Sequence, residues 1–231
     1  METQVSFAVP GANGSLVIHC ASQAVQNVKK SIATALNKKA NQVTVTTSQV
    51  GGAYGGKAYL PVSVAAAVSV AAVKLNKPVL CQLDRNIDML SMGGRPPASA
   101  DFTVEVDTST AKLTSLDLTA TINCGWSAGG SVHATSLNCY VIPGARLSRQ
   151  NQTMPTPVNT IMRAPGDFQG AFFMEAAMEA AARAYLLGQV ASDPTVVIDD
   201  ARPVQEANMD PGCAAVWSAA KIVDSNLGLY A

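Results

Sequence analysis

The chain has 231 residues, 48% of them hydrophobic, enough for one sizeable globular domain or two closely fused lobes. Sixteen basic and sixteen acidic residues give a formal net charge of zero, so no strongly basic face is implied and neither nucleic acid nor an anionic membrane is suggested as a partner. Charged residues make up 14%, a low share that points to a surface partly covered by something else.

Other counts narrow the chemistry. Two histidines, His19 and His133, are too few for a His-rich metal site and give little support to a Ser-His-Asp hydrolase. Five scattered cysteines (Cys20, Cys81, Cys124, Cys139 and Cys213) contain no CxxC and read as buried free thiols in a reducing compartment. The start METQVSFAVPG lacks a basic segment followed by an apolar core, so no signal peptide is visible. No run of 18 apolar residues occurs, so no membrane span is expected and a cytoplasmic location is.

In chain order, SLVIHC (15–20) reads as a strand in which His19 is a structural residue rather than a base. Ser22 is placed to cap a helix over 23–36, with Val25, Val28, Ile32 and Leu36 as its stripe. Residues 42–48 form a strand, VGGAYGGKA (50–58) a glycine loop, and Pro61 opens a helix to about Leu75. PVLCQL (78–83) is expected to be a short buried strand. Residues 99–107 and 112–123 alternate about a turn at 108–111 and read as a hairpin. The stretch 124–136 is loop-like, and CYVIPGARL (139–147) adds a strand.

A helix then runs from about Gly166 to Leu187 and stops at Gly188. Its inner stripe is Ala171, Met174, Met178, Ala181 and Tyr185; Glu175, Glu179 and Arg183 form a solvated outer row. A last helix covers roughly 211–226. Hairpins mixed with crossover helices predict an α+β fold with a mixed β-sheet and packed helices, organised as a single domain over 1–231.

The glycine loop follows a strand and precedes a helix, which raises the question of a phosphate cradle. Gly51, Gly56 and Lys57 fit G-x-x-x-x-G-K-[ST], but Ala58 stands where the motif needs a magnesium-binding hydroxyl. What remains is a turn rich in φ-tolerant glycines whose backbone N–H groups suit an anionic or oxo ligand, with Lys57 at its end as a simple solvated residue.

Four phrases occur together and in order: ASQAVQNVKKSIATAL, VGGAYGGKA, LNKPVLCQLDRNIDMLSMGGRPP and IMRAPGDFQGAFFMEAAMEAAA. In these the chain resembles the molybdenum hydroxylases, xanthine dehydrogenase and aldehyde oxidase, with GGAYGGK and RAPG closest to the invertebrate aldehyde oxidases. The resemblance covers most of the chain and implies the fold of the first half of the molybdopterin-binding region. It also implies that the loop cradles an oxo-metal cofactor rather than a nucleotide. Gln23 matches the glutamine that hydrogen-bonds an oxo ligand of molybdenum. Tyr54 and Gly55 match loop residues packed against the cofactor, and Arg163 matches the residue whose backbone lies beside the metal's oxygen ligands. An amide side chain and backbone N–H groups can donate to such a ligand, and none is itself a metal ligand.

Departures from the family are equally specific. Ala58 replaces the glutamate that follows the loop lysine in xanthine-type members, no arginine lies between Arg95 and Arg146, and Pro165 aligns with the purine-sandwiching phenylalanine. The family's general-base glutamate, in a GxGE-like motif, and its iron–sulfur cysteines have no counterpart, so no residue here is assigned a catalytic or metal-ligating role. The expected reading is a non-catalytic relative, with no cofactor for catalysis. It would bind an elongated apolar ligand, a polyene such as a retinoid or carotenoid, in a dimer with a sister half-domain chain (homo- or heterodimer). The alternative is a molybdopterin-binding fragment or split subunit of an aldehyde oxidase-like oxidoreductase that works with a second chain. Under that alternative, Met1 immediately before the family's ETQ-like phrase tells against random proteolysis.

Overall fold

The computed structural model describes residues 2–91, 94–126, 136–156, 159, 161–193 and 202–214. Within them the chain divides into two compact units. The first comprises Met1–Pro96, Cys124–Gly130 and Thr153–Arg163; the second comprises Pro97–Asn123, Ser131–Gln152 and Ala164–Ala231.

The first unit is built on a four-stranded mixed sheet. β1 (Val5–Pro10) and β2 (Leu16–Cys20) form an antiparallel hairpin whose turn uses left-handed Asn13 and Gly14. α1 (Val25–Ala35) carries the chain across the sheet, so β3 (Val43–Thr46) returns parallel to β2. α2 (Pro61–Leu75) lies between β3 and β4 (Val79–Gln82), which pairs antiparallel with β1, giving the order β3-β2-β1-β4.

The period of two in β1 and β2 sends Ala8, Leu16, Ile18 and Cys20 to one face. There Val28 and Ile32 of α1 and Ala65, Val68 and Ala72 of α2 complete the core. The alanines of α2 let its backbone approach the sheet closely. Pro61 opens the helix as expected, and Asn76, at φ 52°, closes it in the left-handed conformation. A short helix, α3 (Arg85–Ser91), follows β4 and had no counterpart in the sequence reading. β4 corrects an expectation: it is an edge strand, not a buried one, and Leu80 is 64% exposed.

The second unit is a three-stranded sheet, β5-β6-β7, with a helix against it. β5 (Ala98–Val106) and β6 (Leu113–Asn123) are the expected antiparallel hairpin. Leu116, Leu118, Ala120 and Ile122 alternate into the core of this unit. β7 (Gly144–Gln152) pairs parallel with β6 and starts later than CYVIPGARL suggested, because Pro143 precedes it; Tyr140 makes a single bridge to Met209 instead.

α4 (Asp167–Val190) packs on β5 through Met174, Ala177, Met178 and Ala181, all fully buried. It runs through Gly188 rather than stopping there. Gly188 keeps a negative φ, and a helical glycine's penalty of about 1 kcal/mol is tolerated where the neighbouring Leu186 is buried. Glu175 departs from the expected solvated row: it accepts from Tyr140 Oη at 2.9 Å, Asn138 Nδ2 at 3.3 Å and Gln205 Nε2 at 3.4 Å. α5 (Arg202–Asn208) was not foreseen; a further helical turn begins at Pro211, and the rest of the expected helix over 211–226 lies outside the described residues beyond Ala214. The expected loop over 124–136 lies outside them from 127 to 135, and His133 with it.

The mixed strand directions of both sheets and the helices packed on them make the fold α+β. No helix among the described residues is long and apolar enough to cross a membrane. All five cysteines carry free thiols, of which Cys20 and Cys124 are buried and Cys213 is exposed.

Candidate functional site

The loop between β3 and α2 takes its shape from left-handed residues. Gly52 (φ 92°), Tyr54 (φ 48°) and Gly55 (φ 91°) all lie there. Glycine adopts this conformation freely; tyrosine does so at a cost of about 1–3 kcal/mol, a strain that concentrates at functional sites. Tyr54 is 58% exposed, so its ring is not held there by core packing. Gly55 is also required sterically, since a Cβ at this position would sit 2.5 Å from the Ile161 carbonyl oxygen.

These contacts gather the expected residues. The Gly55 N–H donates to Gln23 Oε1 at 3.0 Å, across 32 residues of sequence. With its oxygen so engaged, the exposed Gln23 carboxamide presents its –NH2 group outward, with no acceptor for it among the described residues. The Ile161 carbonyl against Gly55 brings in the segment ending at Arg163, whose own carbonyl accepts from Arg95 Nη2 at 2.7 Å. Gln23, Tyr54 and Gly55 therefore form one cluster, and Arg163 stands two residues beyond its contact point.

Beneath the loop lies a polar layer that sequence reading missed. Lys57 is not a solvated turn end: its side chain is fully buried, and its ammonium pairs with Glu2 Oε2. The hydrogen bond from Lys57 holds the Glu2 carboxyl below its ordinary range, and the Gly51 N–H acts the same way, with partial desolvation opposing. The Lys57 carbonyl accepts the Gln23 N–H at 3.1 Å and the Ser22 hydroxyl at 3.2 Å. Ser22 does not cap α1, whose N-cap is Ala24. Its oxygen accepts the Ala24 N–H at 3.0 Å while its hydroxyl proton goes to the loop. Gln4 Nε2 donates to the Gly56 carbonyl at 3.3 Å, leaving Gln4 Oε1 buried without a partner among the described residues.

The thiol of Cys20, next along β2, is pushed up by burial, with the Ser6 hydroxyl opposing at 3.2 Å, so it is a protonated core group rather than a nucleophile. His19 stacks on Phe7 with centroids 6.1 Å apart and meets Thr46 Oγ1 at 2.9 Å, the structural role expected of it. No local signal marks Glu2 and Lys57 as partners. They lie 55 residues apart, and opposite charge is all the sequence offers to pair them.

The loop fits an oxo-bearing cofactor better than a triphosphate. The amides of Gly51, Gly55, Gly56 and Ala58 are engaged by Glu2 Oε2, Gln23 Oε1, Ala53 O and Gly55 O. The lysine of a nucleotide loop must reach the phosphates, and this one is buried against a carboxylate. An outward carboxamide lies beside a strained aromatic and a backbone with no room for Cβ, a donor arrangement that an oxygen-rich group would fit.

Fold and loop together define an α+β module with a strained, glycine-rich loop between β3 and α2. A sequence profile of the molybdopterin cofactor-binding domain matches residues 1–191. Probable aldehyde oxidase 1 of Oryza sativa subsp. japonica is 37% identical over 188 residues, covering 78% of this chain and 14% of the rice protein. An indole-3-acetaldehyde oxidase of Arabidopsis thaliana is 36% identical over 186 residues, with the same two coverages. The chain belongs to the molybdopterin cofactor-binding domain family and is aldehyde oxidase-like; it spans about 14% of the length of these relatives. Two solved structures share the fold. Quinoline 2-oxidoreductase from Pseudomonas putida 86 has a TM-score of 0.74 at 18% identity, covering 92% of this chain and 27% of that one. The aldehyde oxidoreductase from Desulfovibrio gigas has a TM-score of 0.64 at 19% identity, covering 91% and 22%.

Proposed function

We propose that this chain holds molybdopterin against the loop 51–58 and forms part of an aldehyde oxidase-like oxidoreductase, the remainder of the site being supplied by further polypeptide. The observation that carries this reading is the Gln23–Gly55 hydrogen bond, which fixes which end of the carboxamide faces outward. Gln23 donates to the cofactor's oxygens, Tyr54 and Gly55 form the floor it rests on, and the backbone at Arg163, steadied by Arg95, borders it. When bound, the cofactor supplies a two-electron oxidant for an aldehyde carbon. The chain's own contribution is to bind and orient it; the general base and the electron acceptors belong to the additional polypeptide.

That assembly is supported by the exposed outer face of the first sheet, where Leu80 is open and Phe7 and Val17 are half-buried in one cross-strand patch. A sister chain of the same kind is one partner such a face suits. The polyene-binding reading draws no comparable support. One cleft, of about 500 Å³ on the second unit, mixes Leu116, Pro143 and Ala145 with Asp117 and Arg146, two charged side chains that do not suit a conjugated hydrocarbon.

The test is the molybdenum and pterin content of the protein purified from cells that make molybdopterin, with its absorption spectrum. The expectation is near-equimolar pterin and molybdenum, falling at least tenfold in Gln23→Ala with little change in melting temperature, since the side chain is exposed. A strong polyene band without molybdenum overturns the proposal.

A further inference from the structure

The structure assigns Glu2 and Lys57 as the positioning pair of the cofactor loop: their ion pair sets the Lys57 peptide, and through it the Gln23 carboxamide, in the orientation that faces the ligand. The inference deepens the molybdopterin reading and rests on it for the identity of that ligand. It is carried by a closed chain of contacts within the first unit.

Glu2 grips the start of the loop by exchanging bonds with Gly51: its N–H donates to Gly51 O at 2.8 Å, and its carboxylate accepts the Gly51 N–H at 3.2 Å. The approach is tight, for a Cβ on Gly51 would meet Glu2 Cβ at 2.8 Å. The same carboxylate oxygen takes the Lys57 ammonium at the loop's other end. The Lys57 carbonyl then holds the backbone of Gln23, and the Gln23 side chain returns to Gly55. One carboxylate thus spans the loop from Gly51 to Lys57, and the residue that faces the ligand is tied to Lys57 and Gly55 inside that span.

A purely stabilising role explains this poorly. Burying the Lys57 ammonium costs desolvation that its pairing with the one-third-exposed Glu2 carboxylate offsets in part, and an apolar residue of the same volume would hold the fold as well. Gln4 Oε1, buried without a partner among the described residues beside the Gly56 carbonyl contact, adds to the polar burden under the loop. What an apolar pair would not supply is direction. The Glu2 carboxylate accepts from the Gly51 N–H and the Lys57 ammonium at once, whereas a leucine facing a methionine would leave the two ends of the loop without that shared acceptor.

The experiment compares the full chain with Glu2→Ala, Lys57→Met and the double variant Glu2→Leu/Lys57→Met. Amide hydrogen exchange is read by NMR at Gln23 and Gly55 without cofactor, and molybdopterin binding is read by pterin fluorescence. The expected result is at least tenfold faster exchange at Gln23 and Gly55 in Glu2→Ala. In the double variant the melting temperature returns to the wild-type value while fast exchange and at least tenfold weaker binding persist. β6 amides, as an internal control, stay unchanged. If the double variant restores exchange and binding along with stability, the pair is merely structural and the inference falls; it also falls if Glu2→Ala leaves both amides at wild-type rates. Wild-type protein that shows the exchange pattern yet takes no molybdopterin defeats the cofactor assignment and leaves the positioning role standing.

Discussion

Two buried polar sites, one in each unit, are satisfied to different degrees. In the second unit, Asn208 spends every polar atom on structure. Its Oδ1 accepts the Leu113 N–H at 2.8 Å, and its Nδ2 donates to Ala111 O at 3.0 Å and Val204 O at 2.7 Å, tying α5 to the hairpin turn. In the first unit, a fully buried Lys57 relies on a carboxylate that is one-third exposed, and Gln4 Oε1 has no partner among the described residues. Satisfied buried groups hold elements together, whereas an under-satisfied layer of this kind offers little net stability and is retained for the geometry it imposes. The second unit's residues should therefore register in stability, and those of the first unit's loop in ligand binding.

The largest effect is expected in the second unit. Met178 is fully buried on α4, and Met178→Ala should destabilise the protein by about 3 kcal/mol through lost burial and the cavity left behind. Urea unfolding measures the loss, and amide exchange in β6 locates it. Molybdopterin content per folded protein should stay near the wild-type value; a parallel loss of cofactor would break the distinction between the units.

Gly55→Ala ranks next. The new Cβ meets the Ile161 carbonyl at 2.5 Å in a backbone at φ 91°, which should cost about 2 kcal/mol. Because the strain falls inside the cradle, cofactor retention should drop far more than the unfolding midpoint does. Retention at wild-type level would show that the loop's close approach to residue 161 has nothing to do with the ligand.

Much of the fold was legible in sequence because it rests on periodicity. The β5–β6 hairpin, the α1 stripe and the start of α2 at Pro61 follow from patterns within a few residues of one another. The misreadings have a common cause, since each was settled by tertiary placement. β4 looked buried because VLC is apolar, but its place at the sheet edge exposes Leu80. Gly188 looked like a stop, but packing carries α4 past it. In the candidate site, Gln23, Tyr54, Gly55 and Arg163 were reached through motif resemblance, and the structure adds the Gln23–Gly55 bond and the Ile161 contact. Lys57 was misread because its burial depends on Glu2, and nothing between the two residues encodes their meeting.

Acid offers the finest probe of the contrast, because among the described residues each unit holds one carboxylate depressed by local donors. In the second, Asp107 in the hairpin turn accepts the Ser109 hydroxyl at 2.6 Å, the Ser109 N–H at 2.8 Å and the Thr110 hydroxyl at 2.8 Å; led by the Ser109 hydroxyl, these bring its pKa down from 3.8 to about 2. A carboxyl whose folded pKa lies below its unfolded value stabilises the fold fully above the unfolded value. That contribution therefore fades as pH falls from about 4 toward 2, and Asp107→Asn should remove this portion of the acid dependence while barely moving stability at pH 7. The carboxylate is exposed, so the effect should be small and confined to the turn, visible as faster Ser109 amide exchange at pH 3 than at pH 5 after correction for intrinsic rates. Glu2 is depressed in the same direction by Lys57, so it too loses its contribution as pH falls below the ordinary carboxylate range. Its loss should appear at Gln23 and Gly55, because protonation weakens its hold on the Lys57 ammonium at the loop's end. If acid loosened the Ser109 turn but left Gln23 protected, the Glu2–Lys57 pair would not govern the loop.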